Sequence, residues 1–214
     1  MGLIVMQINY QVKQGDCISS IAFEHGFFAD TIWNHPNNAE LKKKRQDPNV
    51  LMPGDDVFIP DKRLKEVSEP TNNVYKFRCK NTPEKFRLQL LIDGEPRAGE
   101  EYELEIEDLK FSGKTDGQGR LEQSIPPNAK KGKLLLANGE EVYQLQLGRL
   151  NPSDEITGAQ GRLWNLGFYF GAIDGKMSDE LEIAIQEFQF AHDIEPDGEL
   201  NQATKDAIER AYGA

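Results

Sequence analysis

The spacing of apolar residues changes character along the chain, and each change predicts a different kind of structure. Residues 1–62 combine two short alternating runs with helical spacing between them, residues 74–150 alternate with a period of two, and residues 153–214 return to helical spacing. Residues 63–73 are polar, contain a proline and show no periodicity, as is typical of a linker. The pattern therefore predicts an α+β protein with three domains.

The two ends of the first region have the pattern of short strands. Tyr10 and Val12 alternate as in a half-buried strand. Gly15 permits the turn that follows, and Asp16 can accept hydrogen bonds from the free N–H groups of a starting helix. Residues 53–60 mirror this order, with a Pro-Gly-Asp turn that leads into a second strand and a proline that stops it.

Helices are predicted between these strands. Apolar residues recur at helical spacing from Ile18, and Gly26 ends this first helix. A second helix starts after Asp30 and turns Trp33 inward as a core residue, the alternative being that Trp33 is a platform for sugar rings. Residues 36–45 are expected to lengthen this second helix, and their basic end is either a solvated helix end or a docking patch.

With its opening Gly-Asp turn and its closing Pro-Asn and Pro-Gly-Asp segments, the region 1–62 resembles a LysM domain. The resemblance implies a βααβ fold that binds N-acetylglucosamine polymers, usually peptidoglycan or chitin, between the two turns. Cys17 stands where the family commonly has Ser or Thr, and a thiol is a poorer hydrogen-bond donor. The glycan-binding residues implied by the resemblance are Gly15, Asp16, Cys17, Ile18, Asn49, Val50, Leu51, Met52 and Pro53.

The middle region is predicted to be an antiparallel β-sandwich. Alternating apolar runs lie at residues 74–77, 86–92 and 102–106, and turn signals lie at residues 93–96 and 115–119. The order of runs and turns is similar to immunoglobulin-like or transthyretin-like repeats of bacterial surface proteins. The resemblance implies a spacer domain.

The last region contains an internal repeat. Residues 174–178 and residues 197–201 each carry an Asp-Gly turn, then an apolar residue, then a side chain that can cap a helix, Ser178 or Asn201. A further helix is predicted ahead of the repeat, ended by Gly167. Three helices are therefore expected between residues 156 and 212.

Short motifs in this region resemble those of the three-helix peptidoglycan-binding domain that is commonly appended to wall hydrolases. The motifs are residues 160–167, two Asp-Gly pairs and Phe188-Gln189. The exposed aromatics after the first helix can stack on sugars, the alternative being that at least two of the three fill the core. The candidate residues of this second wall-binding module are Phe168, Tyr169, Phe170, Asp174 and Gly175.

Charge excludes one class of partner. The formal net charge is −11, divided into −2 for residues 1–62, 0 for residues 63–152 and −9 for residues 153–214. Such an acidic segment repels a phosphate backbone, so we expect no nucleic-acid binding. Stem peptides of peptidoglycan also carry carboxylates. Affinity for the wall must therefore come from hydrogen bonds and apolar sugar faces instead of long-range attraction.

Catalysis, metals and cofactors are not predicted. The acids Glu101, Glu103, Glu105 and Glu107 alternate along a strand, which is typical of its wet side, whereas a glycosidase needs two acids that converge across a cleft. The histidines His25, His35 and His192 lack partners at metal-ligand spacing. Cys17 and Cys79 fall in different predicted domains, so we expect no disulfide between them.

Two functions remain open. The first is a non-catalytic peptidoglycan-binding protein with two wall-binding modules joined by a β spacer. The second is a structural or adaptor protein of a type VI secretion or phage-tail-like contractile apparatus, which whole chains of this order resemble, with a spike or effector as partner. Residues 1–6 lack the features of a signal peptide, and no apolar run reaches the roughly 20 residues that span a bilayer. We therefore expect cytoplasmic synthesis without membrane insertion, followed by delivery to the periplasm or exterior by a signal-independent machine.

Overall fold

The computed structural model describes residues 8–62, 73–74, 83–92 and 94–213. It is an α+β protein with a β-rich N-terminal part and a helical C-terminal region. The chain divides into two compact units, one of residues 1–49 and 53–148 and the other of residues 50–52 and 149–214. The three domain boundaries derived from sequence stay predictions. The lead-in 1–6, most of the linker, the strand start at Tyr75 and Phe77, Asp93 and Cys79 lie outside the described residues.

The first region has two strands that enclose short helices. The strands pair antiparallel, with Tyr10 opposite Val57. The apolar residues Ile18, Ile32 and Val57 are fully buried and form part of its core. The elements are β1 (Ile8–Gln11), α1 (Ile18–His25), α2 (Ala29–Trp33), a 3-10 turn (Pro36–Asn38), α3 (Ala39–Arg45) and β2 (Asp56–Ile59).

Helix α1 is capped by Cys17, so the prediction that Asp16 serves the starting helix is wrong. The Ser20 N–H donates to Cys17 Sγ at 3.4 Å, and the Cys17 N–H donates to Ser20 Oγ at 3.0 Å. This reciprocal pair satisfies N–H groups that the first turn of a helix leaves free. Gly26 ends α1 as predicted, with a φ of +70°.

Residues 36–45 form a separate helix, so the prediction that they lengthen the second helix is wrong. Helix α2 ends at Trp33, and Pro36 opens the 3-10 turn, because proline has no N–H and its ring clashes with the preceding helical turn. The buried Asn38 then ties this segment to β2. Its amide nitrogen donates to the Phe58 carbonyl at 2.9 Å, and its amide oxygen accepts from the Phe58 N–H at 2.7 Å.

The basic end of α3 is only partly solvated. Lys42, Lys43 and Lys44 are exposed, as expected of a helix end, but Arg45 is buried. The Arg45 Nε donates to Asp55 Oδ2 at 2.7 Å, and a terminal nitrogen donates to Asp55 Oδ1 at 3.0 Å. Arg45 is therefore an internal anchor and does not belong to a solvated helix end.

The middle region contains the predicted antiparallel strands. A four-stranded sheet has the order β10-β9-β6-β7, while β3 pairs with β8 and β4 with β5. Apolar residues of β6 and β9, such as Leu104 and Leu134, share one core with Leu121 and Ile125 of β8. The strands are β3 (Glu84–Gln89), β4 (Leu91–Ile92), β5 (Glu95–Pro96), β6 (Glu101–Ile106), β7 (Leu109–Lys114), β8 (Arg120–Ile125), β9 (Lys131–Leu136) and β10 (Glu141–Gln146).

The alternating acids of β6 lie on the solvent side of this sheet, as predicted. Glu101 and Glu103 are exposed, while Tyr102, between them, is buried. Glu101 pairs with Lys114 of β7 at 2.9 Å. Such surface pairs contribute little to stability, since water competes for both charges.

The helical region contains α4 (Ile156–Asn165), α5 (Asp179–Ala191) and α6 (Gln202–Tyr212). Both predicted caps are confirmed, since Ser178 Oγ accepts from the Leu181 N–H and Asn201 Oδ1 accepts from the Thr204 N–H. Gly167 follows α4 with a φ of +83°. The core of the three helices is a cluster of buried apolar residues, including Leu163, Leu181, Ile185, Phe188 and Ile208.

Candidate functional site

The Gly15-Asp16 turn lies between β1 and α1, and its carboxylate is almost fully buried. Gly15 has a φ of +89°, which favours glycine. The Asp16 side chain is 3% exposed and accepts three hydrogen bonds. The Tyr10 hydroxyl donates to Oδ2 at 2.8 Å, the Lys13 N–H donates to Oδ2 at 2.9 Å, and the Lys130 ammonium donates to Oδ1 at 3.2 Å. A sugar hydroxyl would have to compete with these donors for Asp16.

These contacts set the protonation states at the turn. Burial acts to raise the pKa of Asp16, but the hydrogen bonds from Lys13, Tyr10 and Lys130 outweigh it and hold the pKa below its usual value. Burial, together with the hydrogen bond to Asp16, raises the pKa of Tyr10 to about 12. Near neutral pH the turn therefore holds a carboxylate ion against a protonated phenol.

Lys130 comes from the loop before β9, and a second part of the middle region also reaches the turn. A Cβ atom added at Gly148 would lie 2.8 Å from the Gly15 carbonyl oxygen, so the two backbones approach closely. Sequence reasoning missed both contacts. No motif marks Lys130 or Gly148, because pairing between distant residues depends on the fold.

The remaining predicted glycan residues differ in accessibility. The Ile18 N–H donates to the Pro48 carbonyl at 2.9 Å, so the loop before Asn49 lies beside the start of α1. Asn49 and Pro53 are exposed, Cys17 and Met52 are half-buried, and Ile18, Val50 and Leu51 are buried. Burial also raises the pKa of the Cys17 thiol. Of these side chains, Asn49 is the exposed one that carries hydrogen-bonding groups. Trp33 is buried, in agreement with its prediction as a core residue.

Two of the three aromatics after α4 belong to the core, as the alternative interpretation predicted. Phe168 packs edge-on against Phe188, with ring centroids 5.3 Å apart. Tyr169 is buried, and its hydroxyl donates to the Ala172 carbonyl at 2.8 Å. Phe170 is 81% exposed, so it is the aromatic of this trio that could stack on a sugar ring.

The predicted Asp174-Gly175 pair forms a turn that a buried glutamine holds in place. The Gln160 amide donates to Asp174 Oδ1 at 3.2 Å and accepts from the Gly175 N–H at 2.9 Å. The Lys176 N–H and the Gln160 amide both donate to the Asp174 carboxylate and lower its pKa. The turn is therefore a structural element of the bundle with a half-exposed carboxylate on its outer side.

The second copy of the repeat is built in the same way. The Gln189 amide donates to Asp197 Oδ1 at 2.6 Å and to Thr204 Oγ1 at 2.9 Å, and it accepts from the Gly198 N–H at 2.9 Å. Sequence analysis found the repeated turns but missed the role of the two glutamines. Two buried amides anchoring two Asp-Gly turns give the helical region an internal symmetry.

In the part of the chain that the structure describes, no group of three or more His, Cys, Asp or Glu side chains is placed to hold a metal ion. The described helices are all too short or too polar to cross a bilayer.

Comparison with protein families gives a match in the helical region. No curated protein and no solved structure matches the chain. The matching segment covers α4, α5 and most of α6, which is the region built around the two glutamine-anchored turns. Residues 152–208 of the 214-residue chain match the family described as a putative peptidoglycan binding domain.

Proposed function

We propose that this protein binds peptidoglycan without cleaving it, through two wall-binding modules joined by a β-sheet region. The observation that carries the proposal is the match of residues 152–208 to a peptidoglycan-binding family. The exposed Phe170 offers a stacking surface on this module.

The first module is proposed to be LysM-like and to bind an N-acetylglucosamine polymer. Support comes from the paired strands β1 and β2, which enclose the helices, and from the hydrogen bond between Ile18 and Pro48. That bond places Pro48, just before the predicted glycan-binding residue Asn49, beside the start of α1. Because Asp16 is occupied by internal donors, Asn49 and backbone groups would make the polar contacts.

The middle region is proposed to be an immunoglobulin-like or transthyretin-like spacer. Two antiparallel sheets that share one core support this assignment. If both modules engage one polymer, a spacer makes the second binding event intramolecular and increases avidity without new contacts. Since the chain has a net charge of −11, affinity would depend on short-range contacts.

The absence of catalysis is part of the proposal. A glycosidase acid requires a raised pKa. In the described part of the chain, the carboxylates whose pKa departs from the usual range have it lowered by ion pairs or hydrogen bonds, as at Glu101, Glu122 and Asp174. Release of soluble muropeptides from sacculi by the purified protein would overturn this part.

Cosedimentation of the full chain with purified sacculi at low salt tests the proposal. Wild-type protein should pellet with the sacculi, and Phe170→Ala should weaken binding, while Phe190→Ala serves as the matched control. Phe190 is 78% exposed and is not among the predicted contacts. Binding of chitin oligomers should weaken with Asn49→Ala but not with Asn37→Ala, since both asparagines are exposed and only Asn49 is in the predicted groove. No cosedimentation of the wild type would refute wall binding.

A second function is favoured by the contacts at the Gly15-Asp16 turn. Lys130 and Gly148 of the same chain lie against this turn, as expected if a LysM-like surface contacts protein instead of glycan. The protein would then be an adaptor of a contractile injection apparatus, with a spike or effector as partner. Copurification from native cells tests it: a stable stoichiometric partner is expected, and isolation of the chain alone would oppose it.

A further inference from the structure

A shallow cavity of about 360 Å³, widely open to solvent, lies beside the end of α5 and the last turns of α6. Its lining combines apolar surface with two side chains that can donate hydrogen bonds. The lining residues are His192, Ile194, Ala207, Arg210 and Ala211. Most of its accessible lining surface is polar, and Ile194, Ala207 and Ala211 supply apolar surface beside it.

Arg210 differs from the other basic residues of this acidic region. Among the lysines and arginines that the structure describes between residues 153 and 213, Arg210 is the one whose side chain makes no hydrogen bond or ion pair. The others are engaged: Arg162 donates to the carbonyls of Asn151 and Gly158, Lys176 pairs with Asp174, and Lys205 donates to the Asp154 carbonyl. The segment contains thirteen acidic and four basic residues, and the exposed Arg210 forms an ion pair with none of the described acids.

His192 is held in place next to this guanidinium. Its ring packs on Phe188, with the centroids 4.3 Å apart, and lies 6.3 Å from the ring of Phe168. Neither ring nitrogen has a hydrogen-bond partner among the described residues. The cavity therefore presents a fixed imidazole and a planar guanidinium, both available to an acceptor.

We propose that this cavity binds the free carboxylate of a stem peptide that ends in a small apolar residue such as alanine. Arg210 would hold the carboxylate with two parallel hydrogen bonds, and His192 would donate to it or to the peptide carbonyl. The side-chain methyl would lie against Ala207 and Ile194. This inference rests on the proposed wall-binding function and adds the chemical group that the helical module recognises.

Charge favours this ligand over other anions. The net charge of −9 in residues 153–214 strongly repels a multiply charged phosphate, whereas a carboxylate carries one charge. A neutral glycan has hydroxyl and acetamide groups and gains no charge-assisted hydrogen bond from Arg210. A peptide carboxylate next to a methyl group matches both the polar and the apolar parts of the lining.

The test uses the full chain and two synthetic muramyl peptides, one ending in D-alanine with a free carboxylate and the other in its carboxamide. Binding is followed by NMR chemical shifts. The free carboxylate should bind at least about 10-fold more tightly than the carboxamide, since hydrogen bonds to charged groups are worth roughly that factor or more. The shifts should centre on residues around Arg210.

Variants separate the guanidinium from charge in general. Arg210→Gln should weaken binding of the carboxylate peptide about 10-fold and abolish its advantage over the carboxamide. Arg210→Lys should fall between, because it keeps the charge and loses the planar fork. Lys205→Gln is the matched control, since it removes one positive charge from the same helix outside the cavity and should leave the preference unchanged.

The outcomes distinguish this inference from the proposed function. If the protein pellets with sacculi but binds both peptides equally, or if Arg210→Gln retains the preference, the carboxylate site is refuted and wall binding stands. If the protein binds the carboxylate peptide selectively but does not pellet with sacculi, the site is supported and wall binding is refuted.

Discussion

Replacing Gln189 by alanine should destabilise the helical region more than the equivalent change at Gln160. Both amides are fully buried, and both anchor an Asp-Gly turn. They differ in what they leave behind. Loss of Gln189 leaves the buried Gly198 N–H without its acceptor and removes a donor to the buried Thr204 hydroxyl.

The expected loss in the free energy of unfolding follows from the burial of the groups that lose a hydrogen-bond partner. The Gly198 N–H, a buried group left without a partner, costs about 1–3 kcal/mol, and the lost bond to the Thr204 hydroxyl, which keeps its bond to Asn201, adds about 0.5–1.5 kcal/mol. Together they predict a loss of about 1.5–4.5 kcal/mol for Gln189→Ala. Around Gln160, the Asp174 carboxylate is 41% exposed and the Gly175 N–H is half-buried, so water can replace part of the lost amide. For Gln160→Ala we expect about 1–2 kcal/mol.

Peptide-resolved hydrogen exchange of the full chain measures both changes, because it reports the opening free energy of α5 and α6 separately from the rest of the protein. The expected result is a larger loss of protection in these helices for Gln189→Ala than for Gln160→Ala. An equal or reversed order, or a loss below about 1 kcal/mol for Gln189→Ala, would refute the reasoning from buried unsatisfied groups.

Three further predictions concern the first region. Asp55→Ala should cost about 3–5 kcal/mol in denaturant unfolding followed by Trp33 fluorescence in a Trp164→Phe background, because it removes both hydrogen bonds that Asp55 accepts from the buried Arg45 guanidinium; a loss below about 1 kcal/mol would contradict this. The pKa of Asp16 is lowered on folding, so its stabilising effect is present above its unfolded pKa of about 4 and is lost as the pH falls through the folded value. Asp16→Asn should therefore flatten the acid side of the stability profile measured by urea unfolding, and an unchanged profile would contradict it. The pKa of Tyr10 is raised to about 12, so the stability that its hydroxyl contributes is complete below about pH 10 and is lost as the pH rises through 12. An alkaline phenolate titration of the wild type, compared with Tyr10→Phe, would show this midpoint. A midpoint near 10 would contradict the prediction.

Helix ends and strand alternation were predictable because their causes are local. Ser178 and Asn201 precede apolar periodic segments and cap them, and Gly26 takes a positive φ at the end of α1. Alternation in the middle region likewise placed the acids of β6 in solvent. A break in a helix is local too, and Pro36 carried that signal. The expectation of a longer second helix failed because the extra residues were treated as an extension of α2.

The contacts that complete the candidate sites were not predictable, because they join residues far apart in sequence. The four basic residues at the end of α3 look alike in the sequence, and only the position of Asp55 in the fold selects Arg45 for burial. Lys130 reaches Asp16 in the same way. That Arg210 differs from the other basic residues of its region is clear only when the contacts of those residues are known.

The thiol that caps α1 makes this helix chemically observable. Cys17 is half-buried, its sulfur accepts the Ser20 N–H, and burial raises its pKa, so little reactive thiolate is available while the cap is formed. Alkylation at Cys17 thus requires the first turn of α1 to open. Its labelling rate, followed by mass spectrometry of the peptide that contains it, would count those openings without an introduced probe. A fluorophore attached to Cys17 would disrupt the cap of α1, so it would not report on the undisturbed protein.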